Sequence, residues 1–229
     1  MKNYTLILTC EHAVNTIPEE FKQYFKGEEA LLKSHRGYDL GALEIIKTLA
    51  ATLSHDFFQA KVSRLLIDNN RSLHHPKCFS SITHPLPKKL KESIIKHYYT
   101  PYRSSIINKI EESIKNNKTI LHLSIHSFTP LFKGKERHGD LCLLYDPARP
   151  LELDLATKWQ TWLKKQAPDL MVRKNYPYIG KSDGLASYCR KQFSAQDYIG
   201  FEIESNQAKV MQPKYQKQFA ELLANMLQA

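Results

Sequence analysis

The sequence predicts an α/β protein: one domain, with a mixed, largely parallel sheet and helices on both faces. Three observations carry this. Short β-like runs alternate with helical stretches along all 229 residues, the pattern of strands joined through crossover helices. No linker, internal repeat or low-complexity tract divides the chain, so residues 1–229 read as a single domain. Three β-like runs also end in residues of chemical use. Tyr4–Thr9 leads to Glu11-His12, Leu121–Ile125 to His126, and Tyr198–Phe201 to Glu202. In an open α/β sheet, ligands sit in the crevice beyond the carboxyl ends of the strands, so these residues point to one shared site.

The elements follow in order. Tyr4–Thr9 is the first strand. A loop carries Glu11 to Thr16, and Pro18 suits the first position of a short helix, where its missing N–H costs nothing. Asp39 or a neighbour caps a second helix, Leu40–Leu53, whose Leu43, Ile46, Leu49, Ala50 and Leu53 fall at helical spacing. Phe57–Asp68 reads as one or two strands. Asn69–Pro87, rich in Pro and His, reads as a loop over the site. Lys88–Asn117 is helical and is interrupted or restarted at Pro101. A strand at Thr119–Ile125, a loop over 127–138 and a strand at Asp140–Tyr145 come next. Leu151–Gln166 is an amphipathic helix bearing Trp159 and Trp162. A strand near Met171–Lys174, a loop over 175–184 and a helix at Ser187–Phe193 follow. A strand at Tyr198–Ile203 and a helix at Lys214–Leu227 close the chain.

Composition narrows the partners. Hydrophobic residues make up 42% and charged residues 24%, as in soluble globular chains. No apolar stretch approaches the roughly 20 residues that span a bilayer. The first apolar segment is too short for a signal-peptide core, and no small-residue cleavage site follows it. The expected location is cytoplasmic, with no membrane partner. Cys10, Cys78, Cys142 and Cys189 are widely spaced with no C-x-x-C pair, so they are expected to be reduced and structural. The net charge is +10, but the lysines are spread along helix-like stretches and no basic run of five occurs. Nucleic acid is therefore not the expected partner. A positive field instead favours an anionic small molecule.

Three constellations carry the chemistry. His12 and His126, at two strand ends, are suited to zinc, and Glu11 offers a carboxylate ligand beside them. Asp39 is an alternative ligand, a partner behind the ligands, or a plain helix cap. Arg64, Asn70 and Arg71 lie in the run Ser63 to Ser72. Arg pairs with carboxylates and Asn adds a directional contact, which suits an acidic substrate. An internal pair with Asp68 is the other reading for Arg64. Glu202 and Glu204 share one face of a strand, and Glu202 is the candidate general base, with Glu204 the alternative.

These segments together resemble the N-formylglutamate amidohydrolase family. The resemblance rests on Thr9-Cys10-Glu11-His12-Ala13, Gly37-Tyr38-Asp39-Leu40-Gly41-Ala42, Arg64-Leu65-Leu66-Ile67-Asp68-Asn69-Asn70-Arg71, His126-Ser127-Phe128-Thr129-Pro130 and Phe201-Glu202-Ile203-Glu204, in that order over nearly the whole chain. It implies kinship with zinc carboxypeptidases and aspartoacylase, which share an α/β sheet and one zinc ion. By that resemblance His12, His126 and Glu11 hold zinc, Asn70 and Arg71 grip a substrate carboxylate, and Glu202 activates the water. The expected reaction is hydrolysis of an N-formyl or N-acyl amide of an acidic amino acid. One departure bears on the ligands. Those relatives use His-x-x-Glu, whereas here Glu11 precedes His12 and Asn15 stands at the matching position, which keeps Asp39 as the runner-up ligand. The other readings are a carboxypeptidase-like hydrolase of another acylated amino acid or peptide, and a basic nucleic-acid-binding protein on a degenerate hydrolase fold.

Overall fold

The structure, a computed structural model, describes residues 4–228. Its strands are β1 (Tyr4–Cys10), β2 (Phe58–Gln59), β3 (Thr119–Phe128), β4 (Leu131–Phe132), β5 (Lys135–Glu136), β6 (Leu141–Leu144), β7 (Val172–Lys174) and β8 (Tyr198–Asn206). Six of them form one sheet in the order β2-β1-β3-β8-β6-β7. Every neighbouring pair is parallel except β8–β6, so the sheet is mixed and largely parallel, as expected. β3 and β8 lie at its centre. Their near-continuous apolar runs suit strands covered on both faces.

Helices cover both faces. On one side α2 (Ala42–Leu53), α5 (Pro150–Gln166) and α8 (Pro213–Gln228) pack onto Leu8, Leu123, Phe201 and Ile203. In α8 the buried residues are Phe219, Ala220, Leu223, Ala224 and Met226, one stripe at helical spacing. On the other side α4 (Thr100–Lys115) and α6 (Leu185–Gln192) pack Ile106, Ile110, Leu185 and Cys189 against Ile7, Ile120 and Tyr198. Shorter helices, α1 (Glu29–Leu32), α3 (Lys88–Ile94), α7 (Gln207–Val210) and a 3-10 helix at Glu19–Phe25, complete the layers. The four cysteines are buried and unpaired. Among the described residues no helix is long and apolar enough to cross a membrane.

Three expectations are revised. Within Phe57–Asp68 only β2 is a strand. Val62, Leu65, Leu66 and Ile67 instead fill a buried turn-rich segment against Phe21 and Phe25. Turn bonds such as Leu66 N to Ser63 O (2.9 Å) replace a ladder there, and a short apolar run does not distinguish the two by periodicity. Asp39 caps no helix. The residue before α2 is Gly41, at φ +80°, with no side-chain cap. Finally β3 and β8 reach Phe128 and Asn206, so His126 stands on its strand rather than beyond it. The long helical stretch is interrupted next to Pro101, as expected: a π turn at Ile95–Tyr99 precedes the proline, which has no N–H to give the carbonyl four residues back.

The core between β1, β3 and β8 contains a polar knot with a consequence for acid stability. His122 is fully buried, with Nε2 2.8 Å from Thr9 Oγ1 and Nδ1 2.6 Å from the Tyr198 hydroxyl. Burial pushes its pKa down to about 4, despite the opposing charge of Glu11. The folded value lies below the unfolded one, so the unfolded chain takes the proton first. The contribution of His122 to stability is therefore complete above about pH 6.5 and falls as the pH drops from there toward 4. The loss between pH 7 and pH 5 is about 2 kcal/mol. His122→Gln, which keeps hydrogen-bonding groups but not the titration, should lose less stability over that interval in urea unfolding. Equal losses in the two proteins refute this account of His122.

Candidate active site

The site is assembled at the carboxyl ends of β1, β3 and β8. β1 ends at Cys10, and the chain turns at once through Glu11 and His12. The amide of Asp39 donates to the His12 carbonyl (2.9 Å), which brings the segment before α2 to the end of β1. Gly37 makes this approach possible, since a Cβ there would lie 2.0 Å from the Leu32 carbonyl oxygen. Ser63 Oγ donates to the Gly37 carbonyl (2.8 Å) and ties the Arg64–Arg71 segment to the same place.

Asp39 is the hub. Its Oδ2 accepts from Nδ1 of His126 at 2.7 Å and lies 3.3 Å from Nδ1 of His12. The two imidazole rings meet edge-on with centroids 5.0 Å apart. Each ring has its far nitrogen on another carboxylate: His12 Nε2 is 2.7 Å from Asp68 Oδ1, and His126 Nε2 is 3.0 Å from Glu11 Oε2. Metal-ligating histidines characteristically have their second nitrogen held this way, which fixes tautomer and orientation. His12, Asp39 and His126 can each aim one ligand atom at a common point, all within 4.8 Å of one another. The group can hold a metal ion.

Glu11 is placed differently from the expectation. It is fully buried behind His126, where its carboxylate accepts from the Tyr102 hydroxyl (3.1 Å), from Ser124 Oγ and from His126. It does not line the cleft. Burial alone would raise its pKa, but the hydrogen bond and charge of His126 outweigh burial and hold the carboxyl well below the usual range. For the same kind of reason Asp39 and Asp68 are held low: burial opposes their charge, and the two histidines, with Arg64 for Asp68, reverse it. His126 faces a carboxylate at both nitrogens. Its pKa is raised well above the ordinary value although burial pulls the other way. Its Nδ1 points at Asp39, toward the place where a cation would be bound.

The second constellation also divides. Arg64 bridges Asp39 Oδ1 (3.3 Å) and Asp68 Oδ2 (3.0 Å), so the internal ion pair is present, while part of the side chain still faces the cleft. Asn70 donates from Nδ2 to Glu202 Oε1 (3.0 Å) and accepts at Oδ1 from the amide of Leu185 (2.7 Å). Gly184 makes room for that contact, since a Cβ there would meet both side chains at 3.1 Å. Arg71 lines the cleft and donates to the Asp183 carbonyl.

Glu202 and Glu204 both reach the cleft, as the shared face predicted. Their environments differ. Glu202 is half-buried and engaged by Asn70. Glu204 pairs across the sheet with His126, is buried, and has an Oε2 with no hydrogen-bond partner. Burial, aided by the charges of Asp39 and Glu202 and opposed by His126, pushes its pKa up to about 8. A buried polar atom without a partner requires an explanation, and its residue lines the cleft. Sequence reading missed Asp68, Ser124, Tyr102 and Asp183 as members of this site. It also missed Tyr178, whose ring lines the mouth and whose hydroxyl accepts from Arg137 (3.1 Å).

A mixed α/β sheet whose central strands present two histidines and several carboxylates to one cleft defines a hydrolase-like protein with a site able to hold a metal ion. The sequence matches the model of the N-formylglutamate amidohydrolase family over residues 4–211, and the chain belongs to that family. Membership makes it an amidohydrolase, acting on amide bonds. A solved gene product of Agrobacterium tumefaciens has the same fold, with a TM-score of 0.84 at 23% identity, covering 99% of this chain and 90% of that one. An N-formylglutamate amidohydrolase from Ralstonia eutropha gives a TM-score of 0.72 at 16% identity, covering 100% of this chain and 94% of that one. No curated protein matches the sequence.

Proposed function

We propose that the chain is a zinc-dependent amidohydrolase that removes an N-formyl or other N-acyl group from an acidic amino acid such as glutamate. The observation that carries this is the convergence of His12, Asp39 and His126 in a cleft that also holds an unpartnered carboxylate and an arginine. Two histidines and one carboxylate suit zinc and leave a coordination position open. Bound there, the ion supplies a Lewis acid and lowers the pKa of water toward about 7.

The remaining roles fall to this chain's own side chains. Asp68 and Glu11 orient the two imidazoles through Nε2. Arg64 offsets part of the charge of Asp39 and Asp68, and the part of its guanidinium that faces the cleft offers N–H donors to a developing oxyanion. Glu204, in the fraction ionised at a pKa of about 8, takes the proton of the attacking water and returns it to the leaving nitrogen. Arg71 offers in-plane N–H groups to the substrate carboxylate, with Asn70 beside it. Glu202 holds Asn70 in place and is a positioning residue in this reading.

The test is a panel of N-formyl and N-acetyl derivatives of glutamate, aspartate and leucine, assayed for released amine with and without a chelator. Chelation should abolish hydrolysis and added zinc restore it. The acidic substrates should exceed leucine by about tenfold or more in kcat/KM, the worth of one charged contact. Hydrolysis that survives complete metal removal refutes the zinc reading, and equal rates on leucine refute the role of Arg71.

A further inference from the structure

Arg103 lies on the inner side of α4 and is only 5% exposed. Among the described residues no carboxylate pairs with it. A guanidinium out of water without a counter-charge is costly and needs a physical reason. Two tyrosine rings supply part of one. The centre of the guanidinium lies over Tyr99 at 5.2 Å and over Tyr188 at 4.8 Å. Such contacts satisfy the faces of the cation. They leave its five N–H donors, which lie in the guanidinium plane. One of these, on Nη1, reaches the backbone carbonyl of Asn69 at 3.1 Å. The others have no protein acceptor among the described residues. The side chain opens onto a pocket whose walls include Ser72, His74, Thr100, Ser104 and Tyr188.

This pocket shares no wall residue with the active-site cleft and lies behind the loop that carries Asn70 and Arg71. Arg103 holds that loop at the Asn69 carbonyl, and the Tyr99 hydroxyl holds it at the Arg71 carbonyl (2.7 Å). We propose that the pocket is a second ligand site, which takes an oxyanion (a carboxylate or phosphate group) on the free edge of Arg103. The planar fork of donors matches two oxygens of such a group. Ser72, Ser104 and Tyr188 bring hydroxyl groups to the pocket wall, and the net charge of +10 draws anions to the surface. The occupant bears on the Arg71 loop through the Asn69 carbonyl.

Calorimetric titration of the full chain with inorganic phosphate, and separately with acetate, tests this. Saturable one-to-one binding of at least one anion is expected, and the two arms tell phosphate from carboxylate. Arg103→Gln should weaken it by about tenfold or more, the worth of a charge-assisted hydrogen bond. Removing a buried guanidinium risks the fold, so Ser104→Asp is the companion variant. Ser104 is half-buried on α4, and an aspartate there places a competing carboxylate beside an intact Arg103. It should abolish anion binding to a folded protein, while Arg71→Ala should leave it. Absence of saturable binding by the native chain overturns the proposal. So does unchanged affinity in Ser104→Asp, which would put the anion elsewhere.

Discussion

Asp39→Ala is expected to remove bound metal and to lower amide hydrolysis by more than about a thousandfold, the scale of several kcal/mol of transition-state stabilisation. Asp39 supplies the one carboxylate oxygen that both histidines face with Nδ1. Without it the remaining donors are two imidazoles that Asp68 and Glu11 still hold from behind. Glu11→Gln is the informative partner. Glu11 touches the site only through His126 Nε2, so its loss should weaken metal affinity by about 10–100-fold and leave a refillable site. Metal content of the purified variants, before and after dialysis against zinc, separates the two. Complete metal loss in Glu11→Gln with retention in Asp39→Ala would return Glu11 to the ligand set.

The contrast between these two carboxylates shows what the sequence carries. His12 and His126 were legible because each follows or ends a β-like run, and strand ends are where such sheets bind ligands. Glu11 looked equally apt because it adjoins His12. Both residues stand in the turn that follows β1, and that turn sends Glu11 behind His126 while His12 faces the cleft. Asp39 offered no comparable signal, since it stands in an irregular segment. Its place is set by contacts distant in sequence: its own amide on His12, and Gly37 against Leu32. Asp68 was hidden for the reason that misplaced the strand at Phe57–Asp68. Its apolar run reads as β-like, yet its leucines are buried in turns under loops. The alternation of strands and helices was readable throughout. The sheet order was not, because it depends on which strands pair, and that is also what sets Glu204 opposite His126.

That pairing leads to the second large effect. Glu204→Gln is expected to lower kcat by about 10²–10⁴-fold while metal content stays at the native level, the range for losing a positioned acid–base group. An amide has nearly the same shape but cannot take up the proton of the attacking water. Folding should survive, because Glu204 Oε2 makes no hydrogen bond that the substitution would break. With a pKa of about 8 the side chain is largely the neutral acid at pH 7, so the amide replaces a neutral group of nearly the same shape. Thermal melting of the variant should therefore be at or above the native midpoint, which separates lost chemistry from lost structure. Glu202→Gln is the control two residues away on the same face. Its Oε1 accepts from Asn70, and an amide oxygen can keep that bond, so kcat should change by less than about tenfold, with any larger effect on KM. The opposite result, an inactive Glu202→Gln beside an active Glu204→Gln, would make the half-buried glutamate the base. The orphaned oxygen of Glu204 would then need another explanation. The expectation rests on a difference between the two that alternation cannot supply: one carboxylate is already engaged by Asn70, and the other is buried beside His126 with an oxygen that has no partner among the described residues.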